Sequence, residues 1–71
     1  MNLETQEIKR AVDVFIDKMS DREWSYGARS AAIEIFEEAI ADAFDHLGFD
    51  NSDHMAARAA MMARSRLKTL T

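Results

Sequence analysis

Apolar residues recur at helical spacing along nearly the whole chain. Ile8, Ala11, Val12, Phe15, Ile16 and Met19 form one stripe at intervals of three and four, and Lys9, Arg10, Asp13, Asp17 and Lys18 face away from it. The pattern predicts an amphipathic helix over about 3–19. Leu3 and Val14 miss the stripe and project on the charged side. A second periodic stretch includes Trp24, Ala28, Ala31, Ala32, Ile33, Ile35, Phe36, Ala39, Ile40, Ala43, Phe44 and Leu47. A third carries Met55, Ala56, Ala59, Ala60, Met62, Ala63, Leu67 and Leu70 on one side. The expected fold is therefore all-α, a single domain of three helices at about 3–19, 21–47 and 52–69, with a long helix in the centre.

The boundaries come from capping chemistry. Ser20 followed by Glu23 has the spacing of a capping box, and Met19 and Trp24 flank it as a hydrophobic staple would, which starts the second helix at Asp21. Gly27 is a weak point in that helix, and Ser30 could cap a second segment. The apolar pattern nevertheless keeps its phase across Gly27, which favours one helix. Gly48 stands where a left-handed residue ends a helix, with Phe49 placed to touch Phe44 in a Schellman cap. Asp50-Asn51-Ser52-Asp53 is rich in residues that cap a helix start.

The second helix is apolar over an arc of roughly 220° at 100° per residue, whereas a surface helix shows a stripe a little over about 100° wide. Such a helix is expected to be covered from more than one side. Either the first and third helices close a monomeric bundle around it, or it also meets its own copy. The homodimer is the favoured reading. Ala28, Ala32, Ile35, Ala39 and Ala43 are its expected interface, since small side chains permit close approach. The size of the chain points the same way. With 71 residues and no Cys, one core supplies only roughly 3–5 kcal/mol, and disulfides and thiolate metal sites are excluded. The hydrophobic fraction of 48% rules out a disordered chain.

Charge is sorted along the sequence. Between Ser30 and Asp53 stand Glu34, Glu37, Glu38, Asp42, Asp45, Asp50 and Asp53 with no Lys or Arg, whereas Arg58, Arg64, Arg66 and Lys68 follow His54 with no acid. Glu34, Glu38 and Asp42 succeed one another at i,i+4, a spacing at which like charges destabilise a helix by roughly 0.2–0.5 kcal/mol per pair. Cations from the other helices could relieve the stripe, or water could simply solvate it. A basic partner would do so functionally, such as a positive groove that otherwise holds nucleic acid. On the third helix, cations near the C-terminus favour the helix dipole without any ligand. Met61 falls among Arg58, Arg64 and Lys68 on the outer face, as an adaptable contact residue would. Arg66 projects into the apolar arc and so calls for an acidic partner, from the second helix or another subunit. Tyr26 is placed for a partner contact.

No catalytic constellation emerges. Asp42 and His46 are spaced i,i+4, but Glu-x-x-His is absent, and Asp50–Asp53 runs straight into a helix rather than forming a calcium loop. His46 is expected to be partly buried and satisfied near its helix end. No Ser stands beside a base, and no Gly-rich loop could cradle phosphates. An enzyme, a metal centre and a cofactor are not expected. The start Met1-Asn2-Leu3-Glu4 lacks the basic and apolar regions of a secretory signal, and no apolar run reaches the ~18 residues that span a membrane. A cytoplasmic location is expected. The functional expectation is a small acidic helical regulator or inhibitor that acts by binding another protein. Its candidate contact residues are Glu34, Glu37, Glu38, Asp42, Asp45, Tyr26, Arg58, Met61, Arg64 and Lys68, with Arg66 joining the dimer interface. The rival readings are a dimeric DNA-binding regulator using the basic third helix, which the net charge of −4 disfavours, and a structural subunit of a larger assembly.

Overall fold

A computed structural model describes the backbone of residues 3–70 and the side chains of residues 3–68. The chain forms three helices, α1 (Leu3–Met19), α2 (Tyr26–His46) and α3 (Ser52–Leu70). The expected apolar position of Leu70 concerns a side chain outside the described residues. No described helix is long and apolar enough to cross a membrane.

α1 has the predicted span, and its inner stripe supplies the buried Ile8, Val12, Ile16 and Met19. Leu3 and Val14 are exposed, as their phase requires. The α1–α2 junction differs from the sequence expectation. Ser20 does not cap α2. Its backbone N–H donates to the Ile16 carbonyl at 3.0 Å and its hydroxyl to the Asp17 carbonyl at 2.9 Å, so it finishes α1 instead. The indole N–H of Trp24 then reaches back to the Met19 carbonyl at 2.8 Å. That bond satisfies one of the orphan carbonyls of a helix end and requires the chain to fold back between the two residues. α2 therefore starts later, at Tyr26. Ser25 is its N-cap, extended at φ −67° and ψ 161°, and its hydroxyl accepts the Ala28 N–H at 3.2 Å. Gly27 falls in the first turn of α2 and does not divide the helix.

The α2–α3 turn follows its sequence signals closely. Gly48 has φ +95°. Its N–H donates to the Asp45 carbonyl and that of Phe49 to the Phe44 carbonyl, at 3.0 and 3.1 Å. This is the double bond pattern of a Schellman cap, and the Phe44 and Phe49 rings meet edge to face at 6.1 Å. Asn51 then opens α3, its carbonyl accepting the Met55 N–H at 3.0 Å.

Two side-chain contacts orient α1. Asn51 donates to the Glu4 carboxylate at 3.2 Å, and Arg66 pairs with Asp13. The start of α1 thus lies by the start of α3 and its middle by the end of α3, so the two run in the same direction with α2 antiparallel to both. Within the chain, α3 is the helix that packs extensively against both others. α1 and α2 meet chiefly where Phe15 stacks on Phe36 at 4.2 Å. The reason lies in residue size. α3 buries Met55, Ala56, Ala59, Ala60, Ala63 and Leu67, and four alanines let two neighbours come close on adjoining sides. The sequence reading gave α2 the middle place, but in this chain α2 buries only Ile33, Phe36 and Phe44. Ala28 and Ala32 are half-buried, and Ala31, Ile35, Ala39, Ala43 and Leu47 are exposed.

Candidate functional site

Three surfaces gather the residues singled out by the sequence. The first is a groove of about 460 Å³ where the middle of α2 meets the start of α3, lined by Glu34, Glu37, Glu38, Ala41, Asp53 and Ala56. Glu34 and Glu38 are exposed and Glu37 is half-buried. Among the described residues no Lys or Arg forms an ion pair with any carboxylate of this groove. Among the described residues, direct ion pairing with Lys or Arg of the neighbouring helices is therefore not what relieves the groove. The carboxylates are also too spread to converge on a metal ion, since no group of three His, Asp or Glu side chains among the described residues is so placed.

Asp42 and Asp45 lie one turn further on, outside the groove. His46 sits with them, and it is exposed rather than partly buried as expected. Its Nδ1 donates to the Asp42 carbonyl at 2.8 Å and lies 3.8 Å from the Asp42 carboxylate. The backbone hydrogen bond, then the charges of Asp42 and Asp45, raise its pKa above the ordinary 6.5.

The second surface lies on the same α2–α3 seam at its other end. A cleft of about 240 Å³ is lined by Tyr26, Arg29, Ser30, Ile33, Arg64, Leu67 and Lys68. Three of these, Tyr26, Arg64 and Lys68, were expected to contact a partner, and the fold brings them together. Arg29 was missed. Its only sequence signal is a place one turn after the N-cap, and nothing local shows that the end of α3 folds beside it. The Arg29 Nε is out of reach of solvent and has no hydrogen-bond partner, a state that costs about 1–3 kcal/mol for a buried donor. No carboxylate or His lines the cleft. Arg58 and Met61 are exposed but belong to neither cavity.

The third surface is the uncovered side of α2. Ala31, Ile35, Ala39, Ala43 and Leu47 follow one another at i,i+4, and Ile35 and Leu47 are 66% and 64% exposed. Four of the five residues expected at a dimer contact adjoin or form this row as Ala28, Ala32, Ala39 and Ala43, and Ile35 is its most prominent member. Arg66 does not belong with them. The acidic partner it called for is Asp13 of α1 in the same chain, and both side chains are about half exposed rather than buried. The projection places Arg66 within the apolar arc, but the fold leaves it half exposed beside α1, which supplies the carboxylate.

Compared with known proteins, the chain matches no family model, no curated protein and no solved structure.

Proposed function

We propose that the protein is a non-enzymatic binding module that presents the acidic side of α2 to a basic surface of another protein, and that it does so as a homodimer. The observation that carries the first part is the groove of Glu34, Glu37, Glu38 and Asp53, which is free of Lys and Arg pairing among the described residues. Carboxylates spread along a groove, rather than focused on a point, suit an extended cationic partner such as a Lys- or Arg-rich helix or loop. With Asp42 and Asp45 beyond it, the acidic surface continues along the helix.

The homodimer reading rests on the row from Ala31 to Leu47. A single i,i+4 ridge packs into the groove of another such ridge at about 50°. In an antiparallel pair centred on Ala39, Ile35 would face Ala43 of the second copy, large against small. The chain exposes 5012 Å², against about 4,500 Å² for a monomeric protein of its mass. In such a pair α2 becomes the central helix, covered on one side by α3 and on the other by its copy.

Anisotropy of a labelled arginine-rich peptide tests the first part. Binding is expected at low salt and should weaken as salt rises. Changing Glu34, Glu38 and Asp42 together to Lys should abolish it. Unchanged peptide binding by that variant would refute the reading, and a gain in duplex DNA binding by the wild-type chain over the peptide would favour the DNA-binding alternative. Light scattering at micromolar concentration tests the dimer. Ile35→Glu should leave a folded monomer, and a monomeric mass for the wild-type chain sinks the pairing.

A further inference from the structure

The cleft at the other end of the α2–α3 seam carries an inference independent of the acidic surface. We propose that it is a binding site for the phosphate group of a small phosphate monoester. Arg29, Arg64 and Lys68 line it from two helices, with the hydroxyl-bearing Tyr26 and Ser30 beside them and Ile33 and Leu67 as apolar wall. No acid is among the lining residues, and neither Arg29 nor Arg64 pairs with a carboxylate among the described residues. Converging cations repel one another, and a dianion removes that repulsion.

Arg29 gives the second, separate indication. Its Nε is shielded from water and lacks a partner. Guanidinium groups take oxyanions in a two-pronged manner, with parallel N–H bonds from one edge. An oxyanion can take the Nε edge once the Arg29 side chain turns it toward the cleft, and it then supplies the acceptor that the protein does not. Arg64 and Lys68 reach the same space from α3, and the first turn of α2 adds the positive end of its dipole. A phosphate monoester carries about −1.5 to −2 charges at pH 7, which matches the two guanidinium charges of Arg29 and Arg64 better than a carboxylate does. The volume limits what enters. About 240 Å³ lies below the roughly 300–1,000 Å³ of sites that enclose whole drug-sized ligands. The cleft would hold the phosphate and the first atoms of its ester, and the rest of the molecule would lie outward past the exposed Tyr26.

The test is a titration of the full ¹⁵N-labelled chain with glycerol 3-phosphate, and in parallel with inorganic phosphate, at constant ionic strength set by chloride. Saturable amide shifts confined to residues 26–30 and 64–68 are expected, with a dissociation constant in the millimolar range or tighter. Arg29→Gln and Arg64→Gln should each weaken binding about tenfold or more, and Arg58→Gln, on the same helix but outside the cleft, should not. Circular dichroism reports whether each variant is folded; if Arg29→Gln is not, the exposed Arg64→Gln carries the comparison. Shifts that grow linearly without saturating would overturn the proposal, as would equal losses from Arg58→Gln and Arg64→Gln. Tighter binding of inorganic phosphate than of the ester would overturn the ester as ligand. Displacement of the ester by duplex DNA, with Arg58→Gln and Arg64→Gln impaired alike, would replace the cleft by an extended nucleic-acid surface.

Discussion

α2 and α3 each carry a face built largely of alanine, and the two faces have opposite fates. On α3, Ala56, Ala59, Ala60 and Ala63 are at most 4% exposed. On α2, Ala31, Ala39 and Ala43 are open to solvent. Small side chains do not by themselves produce burial. They allow a neighbour to come close, and whether one does depends on how the rest of the chain is arranged. α3 lies between two partners because α1 packs its apolar stripe along it, with the Asp13–Arg66 and Glu4–Asn51 contacts at the rim. α2 has α3 on one side and, among the described residues, nothing that buries the row from Ala31 to Leu47.

The sharpest way to break this comparison is to enlarge one alanine on each face. Ala59→Leu, at a fully buried position, should destabilise the fold by about 1–3 kcal/mol, a large part of a small domain's stability. Ala39→Leu should change unfolding of the monomer by no more than about 0.5 kcal/mol. Urea denaturation at low protein concentration reads both. Similar losses at the two sites would mean that Ala39 is covered in the free chain. If the row is the dimer contact, Ala39→Leu should instead shift the monomer–dimer equilibrium measured by sedimentation.

The start of α2 allows a paired test of nearly the same size. Ser25→Ala should cost about 1 kcal/mol of stability by removing the N-cap, and Ser20→Ala should cost clearly less, because Ser20 only finishes α1. A larger loss at Ser20 would restore the earlier start of the helix. Smaller again is the tie between α1 and α3. Asp13→Asn should cost about 0–1 kcal/mol, since the pair is half exposed and screened by solvent. A loss well above that range would show that this contact, rather than apolar packing, keeps α1 over α3.

The smallest effect concerns His46 at the end of α2. Its pKa is raised, so protonation stabilises the folded chain. That contribution is fully present below the unfolded value near 6.5 and fades as pH rises through the higher folded value. NMR titration of the imidazole should give a midpoint above 6.5, and Asp42→Asn should lower it. A midpoint at or below 6.5 would mean that the contacts with Asp42 do not form in solution.

Much of the fold was legible in the sequence because its determinants are local. The 3.6-residue periodicity defines three helices, and Gly48 with Phe44 and Phe49 closes α2 in the expected way. The start of α2 was misplaced because Ser20–Glu23 has the spacing of a capping box, while the competing signal, an indole N–H bonding a carbonyl five residues back, has no sequence signature. The acidic stripe was legible as a run of carboxylates on one helix. That no Lys or Arg of the described residues pairs with the groove carboxylates was not, because that depends on where α1 and α3 lie.

The sequence alone determined that this protein is helical, that its charges are segregated and that α2 is apolar over more surface than one neighbour covers. Only the tertiary structure decided that α3, not α2, takes the middle place within the chain. It also brought Arg29 to Arg64 and Lys68, and left Ile35 and the alanines around it uncovered. The physical reason is one of range. Helix formation and capping are set by residues within a few positions of each other, whereas the choice of partner for each face depends on side chains that meet across tens of residues.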